Sequence, residues 1–129
     1  MSKLNVKNLE CIRRDNILFQ NLNFALEDGD LLQIDGVNGS GKSSLMQICA
    51  GLIQTSEGEV SRNETNISDC RYEYQRNTSY FGHTNGVKTE LTALENMRIM
   101  HTLSGLSTRL DYASILKQIG LPDMKDVLL

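Results

Sequence analysis

The sequence predicts an α/β fold in which an antiparallel β portion leads into a strand–loop–helix unit and then into a helical annex. Three observations predict it. Apolar and polar residues alternate over residues 4–9 and 22–26, the period of a half-buried strand. The glycine-rich run Gly36-Val37-Asn38-Gly39-Ser40-Gly41-Lys42-Ser43, followed by Ser44, separates a short apolar stretch from a helical pattern. From Leu91 onward the apolar spacing becomes helical, with cap signals ahead of each run.

Taken in order, residues 4–9 form the first strand, and Arg13-Arg14-Asp15-Asn16 a charged turn. Ile17-Leu18-Phe19 and residues 22–26 continue the β portion up to a turn at Glu27-Asp28-Gly29-Asp30. Residues 31–35 (Leu-Leu-Gln-Ile-Asp) read as a buried strand, so a mixed sheet is expected. Residues 43–50 read as a helix with Leu45, Ile48 and Cys49 inward and Gly51 as its stop. Gly58-Glu59-Val60 starts another strand, residues 61–79 read as a polar surface loop or hairpin, and Tyr80-Phe81 as a brief strand before a turn-rich segment at 82–86. Thr92-Ala93-Leu94-Glu95 has capping-box spacing, and Leu91, Leu94, Met97, Met100 and Leu103 can share one helical face. Thr108-Arg109-Leu110-Asp111 repeats the cap signal before a helix through Ile119, with Gly120 and Pro122 beyond. Residues 1–88 are therefore expected to form a core and residues 89–129 the start of a helical subdomain.

The loop carries the chemistry. It fits G-x-x-x-x-G-K-[ST] at every fixed position. Glycines let the backbone curl with its N–H groups turned inward, toward an anion. Lys42 supplies a flexible point charge for the β- and γ-phosphates, and the Ser43 hydroxyl can ligate Mg²⁺. The helix that follows aims its positive end at the same place. The residue types predict a bound nucleotide with Mg²⁺.

Composition narrows the partners. With 129 residues the chain can build one core, and a net charge of −3 with mixed signs offers no nucleic-acid surface. Cys11, Cys49 and Cys70 lack metal-ligand spacing and read as reduced thiols. Residues 1–10 lack the apolar run of a signal peptide, and no stretch approaches the ~20 apolar residues of a membrane span.

The ordered set of segments resembles the front half of an ABC-type ATPase: β strands, the loop at 36–44, Ala50-Gly51-Leu52, Ser56-Glu57-Gly58-Glu59-Val60, the switch segment at 80–86, and Leu91-Thr92-Ala93-Leu94-Glu95-Asn96-Met97. Tyr80-Phe81-Gly82-His83, the run 86–96 and Leu9-Glu10-Cys11-Ile12-Arg13-Arg14-Asp15 are similar to the haem-export branch that serves bacterial cytochrome c maturation. The resemblance implies a P-loop ATPase that pairs as a homodimer and docks on transmembrane subunits at the cytoplasmic face of the inner membrane. It also implies two departures. Arg13 stands where the family places an aromatic for stacking on adenine, a role a guanidinium plane can take. His83 stands where most relatives carry the glutamine that senses the γ-phosphate and attacking water, which would make the contact pH-sensitive.

Other features read as structural. Leu103-Ser104-Gly105-Leu106-Ser107 echoes the family's signature but reads as a helix end, His101 as a helix-face residue, and Met97 with Met100 as packing. The family's signature, Walker B aspartate, catalytic glutamate and switch histidine are not found; Asp123, Asp126 and Val127-Leu128-Leu129 do not make a strand ending in Asp-Glu. The expectation is an N-terminal fragment with an open apolar edge and a weakly buried loop helix, able to bind nucleotide but not to turn it over. Rival readings are a P-loop kinase unrelated to transport and a non-enzymatic nucleotide-binding or assembly module.

Overall fold

The computed structural model describes residues 2–84 and 86–124; Asn85 of the turn segment, Asp126 and Val127 to Leu129 lie outside the described residues. The chain divides into two compact units, Met1–Tyr80 and Phe81–Leu129.

In the first unit, β1 (Lys3–Arg13) and β2 (Asn16–Glu27) form a long hairpin, β3 (Glu57–Arg62) pairs with the other edge of β1, and β4 (Thr65–Asn66) closes on β3. The order is β2-β1-β3-β4, and every pairing among the described residues is antiparallel, so the expected mixed sheet is not formed. Both hairpins turn on two residues with positive φ, Arg14 and Asp15 (49° and 61°) and Asn63 and Glu64 (49° and 67°). That twist matches the right-handed twist of the strands they join.

The sequence alternation in β1 conceals a bulge. Val6 pairs with Val60 and Lys7 with Glu59, but the next pair is Glu10 with Glu57, so Asn8 and Leu9 face Gly58 alone. Asn8 takes φ 48° there and donates its N–H to Asn23 Oδ1 at 2.9 Å. The extra residue shifts the buried face from even to odd positions: Val6 lies inward before it, Leu9 and Cys11 after it.

Helix α1 (Lys42–Cys49) lays Leu45 and Ile48 on that face, in a core with Val6, Leu9, Cys11, Val60, Ile67 and Tyr74. The loop helix is thus well buried, contrary to expectation. Its cover comes from residues 61–79: the hairpin alternative is the one formed, by β3 and β4, and after it comes a helix that was not expected, α2 (Arg71–Arg76), whose Tyr74 enters the core.

Two expected strands are absent. Residues 31–35 join no ladder, and Leu31 is 95% exposed, with Ile34 alone half-buried against the core. Tyr80-Phe81 is likewise unpaired, and Phe81 is 86% exposed. An apolar run becomes a strand only beside a partner edge. Among the described residues neither segment pairs with the outer edge of β2 or of β4, the two open edges of the sheet.

Burial has a consequence at alkaline pH. It pushes the Cys49 thiol from 9.0 up to about 11 and raises the Tyr74 hydroxyl, which the neighbouring Cys49 raises further. The folded unit keeps the Cys49 proton where the unfolded chain has lost it, so stability is full below pH 9.0 and declines as pH rises toward 11. A loss of about 2–3 kcal/mol across that window is expected from denaturant midpoints, and Cys49→Ala should flatten the decline.

In the second unit, α3 (Ala93–Ser104) begins with the predicted capping box: Glu95 N–H donates to Thr92 Oγ1 and Thr92 N–H to the Glu95 carboxylate. Gly105, at φ 67°, ends the helix, so the signature-like run is a helix stop as expected. Asn96 is buried and ties the preceding segment to α3: it accepts from Lys88 N–H and donates to the carbonyls of Lys88, Leu91 and Thr92. α4 spans Tyr112–Gln118 and starts later than the cap signal implied, because Asp111 is itself the cap and accepts from Ser114 N–H. His101, on the helix face, meets Tyr112 Oη through Nδ1 at 2.7 Å. The predicted apolar stripe of α3 is only partly covered within the unit: Leu91, Leu94 and Met97 are half-buried, while Met100 and Leu103 are exposed.

Candidate functional site

The loop at 36–44 has the backbone that its composition requires. It follows the unpaired residues 31–35, passes through Gly39 and Gly41 in the left-handed region (φ 85° and 98°) and enters α1 at Lys42. Gly41 is a close approach as well as a turn. A Cβ there would sit 3.0 Å from Leu18 Cβ and 3.0 Å from Phe19 Cδ1, so the missing side chain lets the loop settle against β2.

The two ends of α1 are finished in opposite ways. At the C terminus the Leu52 N–H bonds to Gln47 O and the Gly51 N–H to Ile48 O, each at 2.9 Å, with Gly51 at φ 71°. At the N terminus the cap position is Gly41, and among the described residues no side chain caps the helix. An uncapped N terminus on a curled glycine loop offers backbone N–H groups and the positive end of the helix dipole to an anion.

Lys42 is already turned into the loop, where its Nζ donates to Gly36 O and Val37 O at 2.5 and 2.8 Å. Neutral carbonyls hold an ammonium more weakly than phosphate oxygens do, so an incoming phosphate can take over the contact. Ser43 follows on the exposed side of the first turn, and Ser44 is half-buried. The residues fit a polyphosphate. For Mg²⁺ the fit is partial: Ser43 offers one hydroxyl ligand, and among the described residues no group of three or more His, Cys, Asp or Glu could hold a metal ion.

Arg13 is exposed at the tip of the hairpin whose second strand carries Leu18 and Phe19, the residues beneath Gly41. His83 belongs to the second unit, in an exposed bend.

Sequence reasoning missed a set of residues on α2. Tyr74 Oη donates to Cys49 O at 2.5 Å, Arg71 Nε to Gly51 O at 3.0 Å and Arg71 Nη2 to Leu52 O at 3.1 Å, while Gln75 Nε2 donates to Gly51 O at 2.8 Å. The i, i+3, i+4 spacing of Arg71, Tyr74 and Gln75 places all three on one helical face. That spacing was the available signal.

Comparisons with known proteins agree with this geometry. The family profile described as ABC transporter matches residues 19–129. The chain is 41% identical over 121 residues to the cytochrome c biogenesis ATP-binding export protein CcmA of Colwellia psychrerythraea, covering 94% of this chain and 55% of that protein. It is 42% identical over 125 residues to the protein of the same name from Shewanella frigidimarina, covering 97% and 57% respectively. The chain thus spans little more than half the length of these relatives. Among solved structures, an ATP-binding subunit of an ABC transporter matches with a TM-score of 0.78 at 26% identity, over 97% of this chain and 53% of that one. A putative ABC transporter ATP-binding protein from Pyrococcus furiosus shares the fold, with a TM-score of 0.81 at 18% identity, over 98% and 61%. An α/β phosphate-loop architecture with an antiparallel β portion, matched by the profile over most of its length, makes this chain a member of the ABC transporter family.

Proposed function

We propose that the chain is the nucleotide-binding portion of an ABC transporter ATPase that serves haem export for cytochrome c biogenesis. The observation that carries the nucleotide reading is the uncapped start of α1 beneath a glycine loop with Lys42 turned into it. The names of the relatives support the process. In this reading Gly36 to Ser44 bind the phosphates, Ser43 ligates Mg²⁺, and Arg13 stacks on adenine. Residues 1–88 act as the nucleotide-binding core and 89–129 as the beginning of the helical subdomain. His83 senses the γ-phosphate, and with residues 86–90 it faces the membrane partner. The complete ATPase works as a homodimer on transmembrane subunits at the inner face of the bacterial membrane; no described helix is long and apolar enough to cross a membrane.

The test is titration of the purified chain with Mg²⁺–ATP, with phosphate release followed in the same samples. Binding without turnover is expected, since the loop N–H groups and Lys42 are local whereas no described cluster supplies a metal site with a neighbouring base. Absence of binding would falsify the nucleotide reading, and robust Mg²⁺-dependent hydrolysis would refute the inactivity of the isolated chain. Copurification with detergent-solubilised membrane subunits tests the transport assignment. Arg13→Ala should weaken ATP binding several-fold without moving the melting curve, and unchanged affinity removes its stacking role. His83→Gln should alter the pH profile of turnover in the assembled transporter; an unaltered profile removes the sensing role.

A further inference from the structure

The α2 face that bonds to the end of α1 has a consequence for phosphate affinity. A helix of eight residues is a rod about 12 Å long, stiffened by its own hydrogen bonds. Where its C terminus is held decides where its N-terminal N–H groups stand. On the sheet side α1 is held by Leu45 and Ile48, and such apolar contacts are non-directional and resist sliding along the axis poorly. The directional restraint comes from α2: Tyr74 bonds to the carbonyl of Cys49, the last residue of α1, and Arg71 and Gln75 make three bonds to the carbonyls of Gly51 and Leu52 in the turn that closes it. Arg71 also brings a cation to the negative end of the helix dipole.

We propose that Arg71, Tyr74 and Gln75 are positioning residues: they fix α1 along its axis and so set the affinity of the loop at 36–44 for phosphate. The inference rests on the phosphate reading of that loop. An anion at the N terminus draws the helix toward itself, and the bonds at the far end hold it in register against the loop. Loosening them lets the N–H groups drift from the curled geometry, which weakens every phosphate contact together and leaves adenine contacts alone. Arg71 is exposed and Gln75 half-buried, so these bonds can be removed without opening a cavity in the core.

The experiment measures Mg²⁺–ATP and pyrophosphate binding to the full chain carrying Arg71→Met, Gln75→Leu or Arg71→Lys, with Lys42→Met as the reference for a lost loop. Titrations are made well below each melting temperature and corrected for the folded fraction by circular dichroism. Arg71→Met and Gln75→Leu are each expected to weaken both ligands by roughly three- to tenfold, equally for ATP and pyrophosphate, with Arg71→Lys recovering part of the loss. Should Arg71→Met fold poorly, Gln75→Leu decides. Lower melting temperatures with unchanged affinity of the folded fraction overturn the proposal, leaving α2 a purely structural brace. A loss seen with ATP and not with pyrophosphate overturns it too. If the unaltered chain binds neither ligand, the phosphate reading itself falls and this inference with it; binding abolished by Lys42→Met and untouched by the α2 variants sinks the inference alone.

Discussion

Gly58→Val is expected to unfold the first unit. Gly58 stands opposite the β1 bulge with φ 84°, a conformation that a β-branched residue adopts only under strain. Conformation is the smaller part of the cost. A Cβ at this position would overlap the carbonyl of Asn8 and lie 2.5 Å from Lys7 O, and both obstacles are backbone. Neither can rotate aside as a side-chain tip would, so β1 and β3 must separate. Leu9, fully buried, lies in the bulge, and Val60 follows two residues along β3, so separation opens the centre of the core. Strain, lost ladder bonds and lost packing together should exceed about 3 kcal/mol, a large share of the ~5–15 kcal/mol available to a domain. Urea unfolding followed by far-ultraviolet circular dichroism reads the effect directly. A midpoint within 0.5 M of the unaltered chain, roughly 1 kcal/mol at ordinary slopes, would mean that the bulge can be rebuilt around a side chain.

What the sequence made legible is what depends on neighbours in the chain. The phosphate loop is such a feature, because its glycines, Lys42 and the helix start are fixed by spacing alone. The Thr92–Glu95 box is another, both of its bonds closing within three residues. Residues 31–35 failed for the opposite reason: their β character is real, but a strand needs an edge, and pairing edges are not written in the segment itself. The bulge at Asn8 was hidden because residues 4–9 alternate acceptably up to Val6 and the phase shift shows only at Leu9 and Cys11. Helix α2 was hidden by its length and polarity. Six residues give the i, i+3, i+4 spacing less than two turns in which to show, and the helix is held by Tyr74 in the core and by the carbonyls of Cys49, Gly51 and Leu52, far away in sequence. The same non-local bonds make α2 part of the candidate site. Its role could be read only once the end of α1 was in place.

Lys42→Met is expected to weaken ATP and pyrophosphate binding at least a hundredfold and to leave the fold intact. Among the described residues the Lys42 ammonium bonds to loop carbonyls, Gly36 O and Val37 O, and the side chain is half-exposed, so its loss disturbs no packed core. The melting temperature should therefore move by no more than a few degrees. The effect on an anion is larger for two reasons that act together. A unit charge ~4 Å from a phosphate oxygen is worth about 4 kcal/mol at an effective dielectric of ~20; discounting that for solvent screening at an open loop leaves ~2.7 kcal/mol, a hundredfold. In addition, the Gly36 and Val37 carbonyls lose their cation, and their negative ends are left near the polyphosphate. Lys42→Arg should recover little of the loss, because a planar five-donor fork does not fit where a compact ammonium bridges two carbonyls of one tight turn. Binding of Lys42→Met within threefold of the unaltered chain would mean that the backbone N–H groups alone hold the phosphates and that the lysine is a structural tie of the loop.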